Sequence, residues 1–547
     1  MTVYWVVWDA AAHWLVERLD REGALPAVRR LRQAGIRAAA RPPSPNCQTP
    51  PSLATLFTGA LPHEHGVTGF TVPGGRSDPV EVHRSGFDPA FPARPPVWRL
   101  AAAHGHRSAF VHVPWVFGAD GTVGSGVDAA IEAYSRQLAC PAVLELTPGR
   151  RQSWPAGPED VEVVPAAATV RLTSGAGTFD VDGWTPVRLR DGAGFWARVI
   201  PGDRLLVRTG VWSSRVAGSD SRLVQRLAGT EVFAGAGVGR LYRSGRFGPR
   251  LVDGGDGSAE EVFVSSLRCV ARSFDSAVDA VLAGHDADLV VIYLPLTDDV
   301  GHEFAGWCDP HSAAYRPDVA DRIWGHLRRC YAWSDAVLGR VLDRARDAAT
   351  GDTVILGADH GMVGSAYLVH VNEALVRAGL AVPGADGLDP RACAVVYHPA
   401  NNGALRVNHD GLPGGAVPRN RSGALLRQAM TVLSGIPAVT GFLDGRGRPL
   451  TVAGVGDRDE VAYVVLHDDY QPSAVVDGGP VVRAMVKSAG HVVNTGTDRL
   501  YATFTAAGPG IAAGTDLGTV DNTFAARLVL RQLAIDAPLI GTEAGTG

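Results

Sequence analysis

Apolar runs that are followed within a few residues by an acidic residue constrain the fold of this chain more than any other feature. Residues 3–8 form a short, almost continuous apolar run, and Asp9 comes directly after it. Two later runs lead in the same way into Asp298 and Asp359. Runs of this kind are typical of strands that are buried on both faces of a parallel sheet. Because parallel strands end at one edge of a sheet, where ligands bind, we expect these carboxylates to converge there.

Histidines accompany these acids. His302 lies four residues after Asp298, His360 follows Asp359, and His491 lies in a loop that contains glycine. A single Asp–His pair is more often a hydrogen-bonded turn than a ligand set, so the hypothesis depends on all the segments together. Carboxylate and imidazole ligands without thiolates favour zinc over manganese or magnesium. We therefore predict two adjacent metal sites and a two-metal mechanism.

A hydroxyl residue stands before two prolines at Thr49-Pro-Pro-Ser52, and an amphipathic run follows that closes at Thr58-Gly59. Proline is tolerated in the first turn of a helix, where its missing N–H costs nothing. Thr49 is therefore expected at or just before a helix N-terminus, which suits an anion such as phosphate. The alternative is that Thr49 only caps the helix.

Composition limits the classes of partner. The chain has 547 residues, a net charge of −5 and 46% hydrophobic residues, which allows a large core with insertions. A slightly acidic chain is not expected to bind a nucleic-acid duplex. The six cysteines are scattered, so neither a disulfide framework nor a thiolate zinc site is expected, and Cys47 is interpreted as a packing residue.

Targeting signals are not recognised in the chain. The apolar run at residues 3–8 is too short for a signal peptide and lacks a basic leader. No stretch is long and apolar enough to span a bilayer. We expect a cytoplasmic enzyme with no membrane partner.

The patterning divides the chain into three parts. Residues 1–148 and 260–547 alternate strands and helices, which predicts an α/β three-layer sandwich around a mostly parallel central sheet. Residues 150–258 contain short alternating runs broken by Gly, Asp and Pro, which predict a β-rich inserted domain. Residues 365–480 are less regular and are interpreted as a smaller cap within the catalytic domain. One helix is predicted from Leu15 to Leu31.

The motifs together resemble the alkaline phosphatase superfamily, and most closely its type I phosphodiesterase/nucleotide pyrophosphatase family. The matching segments follow the family's order over nearly the whole chain. They are the first strand with Asp9, residues 49–59 with Pro62-His-Glu-His-Gly66, Asp298-Asp-Val-Gly-His302, Ala358-Asp-His-Gly-Met362 and Gly490-His491.

This resemblance implies a chemistry and a ligand set. Thr49 would be the nucleophile and form a covalent phospho-threonine, on a site that holds two Zn²⁺, with Mn²⁺ or Mg²⁺ as substitutes. The expected ligands are Asp9, Thr49, Asp359 and His360 for one ion, and Asp298, His302 and His491 for the other. The expected substrate is a small phosphodiester or a nucleotide pyrophosphate.

Departures from the family pattern leave alternatives open. Members of this family usually carry an Asn further on that donates to a phosphate oxygen, whereas near Thr49 this sequence offers only Ser52, a shorter donor and a candidate phosphate contact. A phosphomonoesterase or phosphomutase-like enzyme acting on a small phosphorylated metabolite is therefore the second hypothesis. Such an enzyme usually adds a cation, for which Arg406 is a candidate, although most arginines in such a segment are surface residues.

The third hypothesis is an inactive binding module. A sulfatase is not expected, because the segment around Thr49 lacks the arginine of that family's motif. The sequence does not indicate an oligomeric state.

Overall fold

A computed structural model of the chain describes residues 1–75, 77–165, 169–200, 205–233, 237–347, 351–398 and 403–536. The helices in these ranges, labelled in chain order, are α1 (His13–Arg21), α2 (Pro26–Ala34), α3 (Thr49–Thr58), α4 (Pro62–His65), α5 (Val97–Ala103), α6 (Ser221–Ala228), α7 (Gly239–Arg243), α8 (Ser258–Leu282), α9 (Leu296–Phe304), α10 (Ala320–Asp347), α11 (Val371–Arg377), α12 (Ser422–Ser434) and α13 (Phe524–Gln532). None of them combines the length and the apolar character that a bilayer crossing requires.

The strands of the first half of the chain are β1 (Val3–Trp8), β2 (Ile36–Arg41), β3 (Thr71–Pro73), β4 (His83–Ser85), β5 (Ser108–Val111), β6 (Val127–Ala139), β7 (Ala142–Glu145), β8 (Gln152–Pro155), β9 (Asp160–Pro165), β10 (Val170–Ser174), β11 (Gly177–Val181), β12 (Thr185–Arg188), β13 (Gly194–Ile200), β14 (Leu205–Arg208) and β15 (Val211–Ala217). Those of the second half are β16 (Leu289–Leu294), β17 (Thr353–Ala358), β18 (Val363–Gly364), β19 (Tyr367–His370), β20 (Pro383–Gly384), β21 (Gly387–Leu388), β22 (Val395–Tyr397), β23 (Ala404–Val407), β24 (Val439–Leu443), β25 (Val461–Leu466), β26 (Tyr470–Ser473), β27 (Val482–Ala484), β28 (Ala489–Gly490), β29 (Ala502–Ala507) and β30 (Thr515–Asp521).

One large sheet organises the molecule. Its strand order is β30-β2-β29-β17-β1-β16-β5-β6-β15-β13-β14-β7, and β12 pairs with β13. The middle of the sheet is parallel, since β1 pairs in parallel with β16 and β17, and β5 pairs in parallel with β16 and β6. β29 and the strands beyond β6 are antiparallel to their neighbours in the sheet. The predicted mostly parallel central sheet is confirmed.

Helices cover both faces of this sheet. Successive side chains of a strand point to opposite faces, so Trp5 and Trp8 of β1 face opposite layers. The ring of Trp5 packs at 5.3 Å against Phe57 of α3, and the ring of Trp8 packs at 6.4 Å against Tyr331 of α10. The fold is therefore the predicted three-layer α/β sandwich.

The single helix predicted from Leu15 to Leu31 is wrong. The structure has two helices, α1 and α2, separated by a break at Gly23, whose φ is +76°. Glycine adopts this left-handed conformation without steric cost, and Pro26 then fits the first turn of α2. The apolar spacing continues across the break because both helices bury one face in the same core.

The β-rich segment is attached to the large sheet. Of its strands, β8 to β11 form a four-stranded sheet of their own, whereas β12 to β15 join the central sheet through the pairing of β15 with β6. The strand character predicted for this segment is confirmed. Its boundaries at 150 and 258, as a separate domain, stay a prediction.

The segment 365–480 packs around a hydrophobic cluster of its own. The cluster joins α11 and α12 to the sheet β22-β23-β25-β24, and Leu426 and Val395 are completely buried in it. Val80, from the β3–β4 hairpin of the first half of the chain, also belongs to this cluster. We call residues 365–480 the cap.

Candidate active site

The parallel pairing of β1 with β16 and β17 brings the acidic residues to one edge of the sheet. Trp8 is in register with Leu294 of β16 and with Ala358 of β17. Asp9 and Asp359 are the next residues of their segments, and Asp298 lies in the first turn of α9, which begins just after β16. The convergence follows from the strand register, as the sequence predicts.

One group of side chains that could hold a metal ion consists of Asp9, Asp359 and His360. The Nε2 atom of His360 lies 3.5 Å from Oδ1 of Asp9 and 3.2 Å from Oδ2 of Asp359. All three residues are buried. Their ligand atoms lie within 4.8 Å of one another, which is close enough for one ion to reach all of them.

A second group consists of Asp298, His302 and His491. The Nε2 atom of His491 lies 3.1 Å from Oδ1 of Asp298 and 3.2 Å from Nε2 of His302, and that His302 atom lies 3.4 Å from Oδ1 of Asp298. The groups adjoin each other, because His360 also lies within 4.8 Å of the ligand atoms of Asp298 and His491.

Hydrogen bonds to the backbone fix two of the imidazoles. Nδ1 of His302 faces the carbonyl of Ala489 at 3.0 Å, and Nδ1 of His360 faces the carbonyl of Gly361 at 2.9 Å. A donor hydrogen on Nδ1 leaves Nε2 as the lone-pair atom that can ligate a metal. Both Nε2 atoms point into the groups described above.

Unpartnered atoms show that the site fits metal ions. Oδ1 of Asp9 and Oδ2 of Asp359 are buried and have no hydrogen-bond partner among the described residues, and the same holds for Nδ1 of His491. Burial, together with the nearby carboxylates of Asp359 and Asp298, raises the pKa of Asp9. Buried carboxylates crowded in this way require a positive charge to remain ionised, and their oxygen and nitrogen donors suit zinc.

The electrostatic environment of Asp298 differs from that of Asp9. Although burial alone would raise its pKa, the imidazoles of His302, His491 and His360 hold the pKa of Asp298 well below its usual value. Burial lowers the pKa of His302 to about 3. The imidazole of His302 is therefore neutral near pH 7, as a metal ligand must be.

Thr49 is the first residue of α3, as the sequence predicts. Its side chain is buried, and its Oγ1 lies 3.4 Å from Nε2 of His360. Pro50 and Pro51 occupy the first turn, so α3 begins at Thr49 and directs its positive N-terminal end toward the acidic groups. The hydroxyl thus lies beside the group formed by Asp9, Asp359 and His360.

Ser52 and Arg406 lie outside the cavity that opens onto Thr49. Ser52 is completely buried in α3, and its Oγ has no hydrogen-bond partner among the described residues. Arg406 lies on β23 of the cap, where its charge interacts with His83 and His398. Their roles as phosphate and substrate contacts stay predictions.

Two polar residues near the site carry no signal in the sequence. The hydroxyl of Tyr293 donates a short hydrogen bond to Oδ2 of Asp9, and Nδ2 of Asn522 donates to the carbonyl of Asp359 at 2.5 Å. Tyr293 lies inside an apolar run and Asn522 follows β30, so neither could be linked to the acids before the strand pairing was known. Tyr293 thus orients the side chain of Asp9, and Asn522 holds the backbone of Asp359.

An aromatic cavity of about 460 Å³ opens next to Thr49. Its walls come from the ends of β1 and β16 with the start of α9, from both ends of the β3–β4 hairpin, from the segment after β5, and from strands β6 and β15, which extend the central sheet. The lining residues are Asp9, Thr49, Phe70, Phe87, Pro89, His112, Pro114, Trp115, Phe117, Glu132, Tyr134, Gln137, Trp212, Arg215, Gly237, Tyr293, Pro295, Asp298 and Asp299. A cavity of this size and lining accommodates a large planar or apolar group beside the reacting hydroxyl.

Comparison with known families identifies the family to which the chain belongs. The family model of type I phosphodiesterase/nucleotide pyrophosphatase matches residues 5–413, and so includes Thr49 and five of the six acids and histidines of the two groups. The chain belongs to this family. It is therefore a hydrolase of the alkaline phosphatase superfamily, and this family is metal-dependent.

Solved structures show the same fold. Human ectonucleotide pyrophosphatase/phosphodiesterase 5 superposes with a TM-score of 0.50 and 12% identity, over 98% of this chain and 96% of that one. An inactive form of the murine protein in complex with AMP gives the same TM-score, identity and coverage. No curated protein matches the chain.

Proposed function

We propose that this family member cleaves phosphodiester or pyrophosphate bonds of nucleotide-like substrates, with Thr49 as the nucleophile. The observation that carries the proposal is the position of Thr49. Its Oγ1 lies 3.4 Å from Nε2 of His360, at the N-terminus of α3 and at the mouth of the aromatic cavity. An attacking hydroxyl, a metal-ligand group and a substrate pocket thus meet at one residue.

Two Zn²⁺ ions, with Mn²⁺ or Mg²⁺ as substitutes, are proposed for this site. Asp9, Asp359 and His360, with Thr49, would hold one ion, and Asp298, His302 and His491 would hold the other. When bound, the ions would supply Lewis-acid stabilisation of negative charge and lower the pKa of the oxygen that attacks. The burial of these ligands and their unpartnered atoms support this assignment.

The proposed reaction has two steps at the phosphorus atom, attack by Thr49 and hydrolysis of the ester that forms. Pro50 and Pro51 have no N–H, and the N–H of Ser52 donates to the carbonyl of Gln48, so the N–H of Thr49 and the dipole of α3 attract an anionic oxygen of the substrate. The Oγ of Thr49 forms a bond to phosphorus, the bond to the leaving alcohol or phosphate breaks, and the leaving group takes up a proton. Thr49 then carries a phosphoryl ester that retains the other substituent. Water hydrolyses this ester, releases a monoester and restores the hydroxyl.

The cavity favours a diester over a monoester. A monoester carries an additional negative charge, which a nearby free cation would have to balance. Arg215 lines the cavity, but its guanidinium is paired with Glu132 at 2.5 Å. Phe87 and Trp115, whose rings lie 5.7 Å apart, instead offer an aromatic surface to the second substituent.

The test compares an aryl phosphodiester with the matching aryl monoester on zinc-loaded enzyme. We expect a kcat/KM for the diester at least about tenfold higher, since apolar contact with the second group stabilises the bound ester. Preference for the monoester would support the alternative of a phosphomonoesterase or phosphomutase-like enzyme. Absence of turnover of both esters, with zinc shown to be bound, would favour an inactive binding module.

A further inference from the structure

The β3–β4 hairpin connects the catalytic cavity to the cap. Phe70, directly before β3, and Phe87, two residues after β4, both line the cavity. The other end of the hairpin lies on the cap, where Val80 joins the cap's hydrophobic cluster and Glu81 forms an ion pair at 2.6 Å with Arg391. The hairpin therefore links the catalytic cavity to the cap, and the junction between hairpin and cap lies close to the catalytic site.

Three nitrogen-bearing side chains meet at this junction. His83 of β4 and His398, the residue after β22, pack edge to face with ring centroids 4.1 Å apart and an interplanar angle of 77°. Arg406 of β23 is close enough to lower the pKa of both imidazoles, in addition to the effect of burial. The pairing of β22 with β23 brings His398 near Arg406, and His83 joins them from the β3–β4 hairpin.

Their buried nitrogens lack partners. Both ring nitrogens of His398, Nδ1 of His83 and Nη1 of Arg406 are buried and have no hydrogen-bond partner among the described residues. His398 is 0% exposed. Buried polar atoms are almost always hydrogen-bonded, so a cluster of buried nitrogens without partners indicates that a ligand or ordered water belongs there.

Neighbouring acids are bound to other groups. Glu460 and Asp78 are the acids that raise the pKa of Arg406 against the opposing effect of burial. Glu460 pairs with Arg419 at 2.7 Å and with His409 at 3.1 Å. Asp78 accepts from the backbone N–H of Gly75 at 2.9 Å. Within the described ranges, no carboxylate lies within ion-pair distance of Arg406.

We propose that the junction binds a small oxyanion, held by donors from Arg406, His398 and His83. The guanidinium of Arg406 offers only N–H donors, each neutral imidazole can turn its one N–H toward an acceptor, and the charge of Arg406 disfavours a cation. Phosphate and carboxylate share this chemistry. The oxyanion has two possible sources, a free inorganic or metabolite anion, and a second anionic group of the substrate. The assignment of the oxyanion to the substrate rests on the proposed function.

The first experiment locates the anion. Crystals of the zinc-loaded protein are soaked in selenate, and anomalous scattering from selenium is measured. We expect a selenium peak that places selenate oxygens at hydrogen-bond distance from Nη1 of Arg406 and from a ring nitrogen of His398. Ordered water at that position, without a selenium peak, would overturn the proposal.

The second experiment measures affinity in solution. The thermal stabilisation of the zinc-loaded protein is titrated with sulfate against chloride at equal ionic strength. We expect Arg406→Gln to weaken the apparent sulfate affinity at least about tenfold, because a charge-assisted bond is lost. The control is Arg448→Gln, a cap arginine whose side chain is 70% exposed. Should Arg406→Gln fold poorly, His83→Gln serves the same purpose. An identical sulfate dependence in all these proteins would contradict the site.

The third experiment separates the two sources. The KM of Arg406→Gln is compared for an aryl diester and for a dinucleoside polyphosphate, which carries additional phosphates. A raised KM for the polyphosphate alone assigns the site to the substrate. An unchanged KM for both, with the sulfate affinity still lost, assigns it to a free anion. The selenate and sulfate measurements need no turnover, so a failure of the proposed function does not affect them.

Discussion

The imidazoles of His360 and His491 stack with their ring centroids 3.7 Å apart and their planes 21° apart. His360 belongs to the group with Asp9 and Asp359, and His491 belongs to the group with Asp298 and His302. The stack therefore holds the two groups next to each other. If each group held an ion, the two ions would supply positive charge to one phosphoryl group.

Removing one ligand should empty one site and leave the other filled. We expect His491→Ala to bind about one zinc per chain instead of about two, because three protein ligands are needed to hold a catalytic zinc. Elemental analysis after dialysis measures this ratio. The control is Asp299→Asn, which changes a neighbouring carboxyl that belongs to neither group. An unchanged ratio in His491→Ala would remove His491 from the ligand set.

Chelation should destabilise the protein, and loss of one carboxylate should partly restore the stability. Without metal, burial and the repulsion from the carboxyls of Asp359 and Asp298 raise the pKa of Asp9. A carboxyl whose pKa is raised on folding destabilises the fold as the pH rises above its unfolded pKa of about 3.9. In EDTA at pH 8, we therefore expect Asp9→Asn to have a higher Tm than the wild type, measured by calorimetry.

The same comparison with zinc present provides the control. There the order should reverse, because Asp9→Asn lacks a ligand. If Asp9→Asn has the lower Tm under both conditions, then repulsion among the carboxyls does not dominate at this site.

We expect a lower pH to reduce the free energy of unfolding, because His65, in the turn beside α3, is buried and resists protonation in the folded state. Burial lowers the pKa of His65 to about 3, and its Nε2 lies 3.1 Å from Oγ1 of Thr55. The unfolded chain takes up a proton near pH 6.5 while the folded chain does not, so stability falls as the pH drops below that value. Between pH 6.5 and pH 5, this linkage amounts to about 2 kcal/mol.

Denaturant unfolding at both pH values tests this linkage. We expect His65→Gln to lose about 2 kcal/mol less than the wild type over the same interval, because glutamine does not titrate. An equal loss in both proteins would mean that His65 accepts a proton in the folded state.

Strands β6 and β15, which extend the central sheet, should determine the affinity for the organic part of the substrate. Trp212 of β15 and Tyr134 of β6 line the cavity with ring centroids 4.9 Å apart. We expect Trp212→Ala to raise KM for an aryl diester roughly tenfold while zinc content is unchanged, since aromatic contacts contribute about 0.5–1.5 kcal/mol beyond burial. Trp184→Ala is the matched control, because Trp184 lies in the same segment outside the cavity. Equal KM values in the two variants would place the substrate elsewhere.

Local patterns in the sequence predict which acids and histidines converge, but they do not predict the pocket. Asp9 and Asp359 follow buried strands, and parallel strands share an edge, so their convergence needs no knowledge of the tertiary structure. Tyr134 and Trp212 lie far apart in the chain and meet only because β15 pairs with β6. Because the alternating pattern of each strand is local, residues 150–258 resemble an independent β-rich unit in the sequence. The pairing of β15 with β6 shows that part of this segment extends the central sheet.

Breaks in helices are similarly difficult to predict from apolar spacing. The spacing from Leu15 to Leu31 continues through Gly23, and only the left-handed conformation of that glycine shows that two helices are present. The junction of His83, His398 and Arg406 depends on the contact between the β3–β4 hairpin and the cap. None of these three residues has a local pattern that would connect it to the others.

The most direct test of the account is to trap the intermediate on Thr49. Zinc-loaded enzyme is mixed with an aryl phosphodiester, quenched in acid within one turnover, and digested for peptide mass spectrometry. We predict that Thr49 carries a phosphoryl ester that retains one aryl group, and that Thr49→Ala has neither this adduct nor measurable turnover although it folds as the wild type does. Wild-type turnover in Thr49→Ala would contradict the account, because another group would then attack phosphorus.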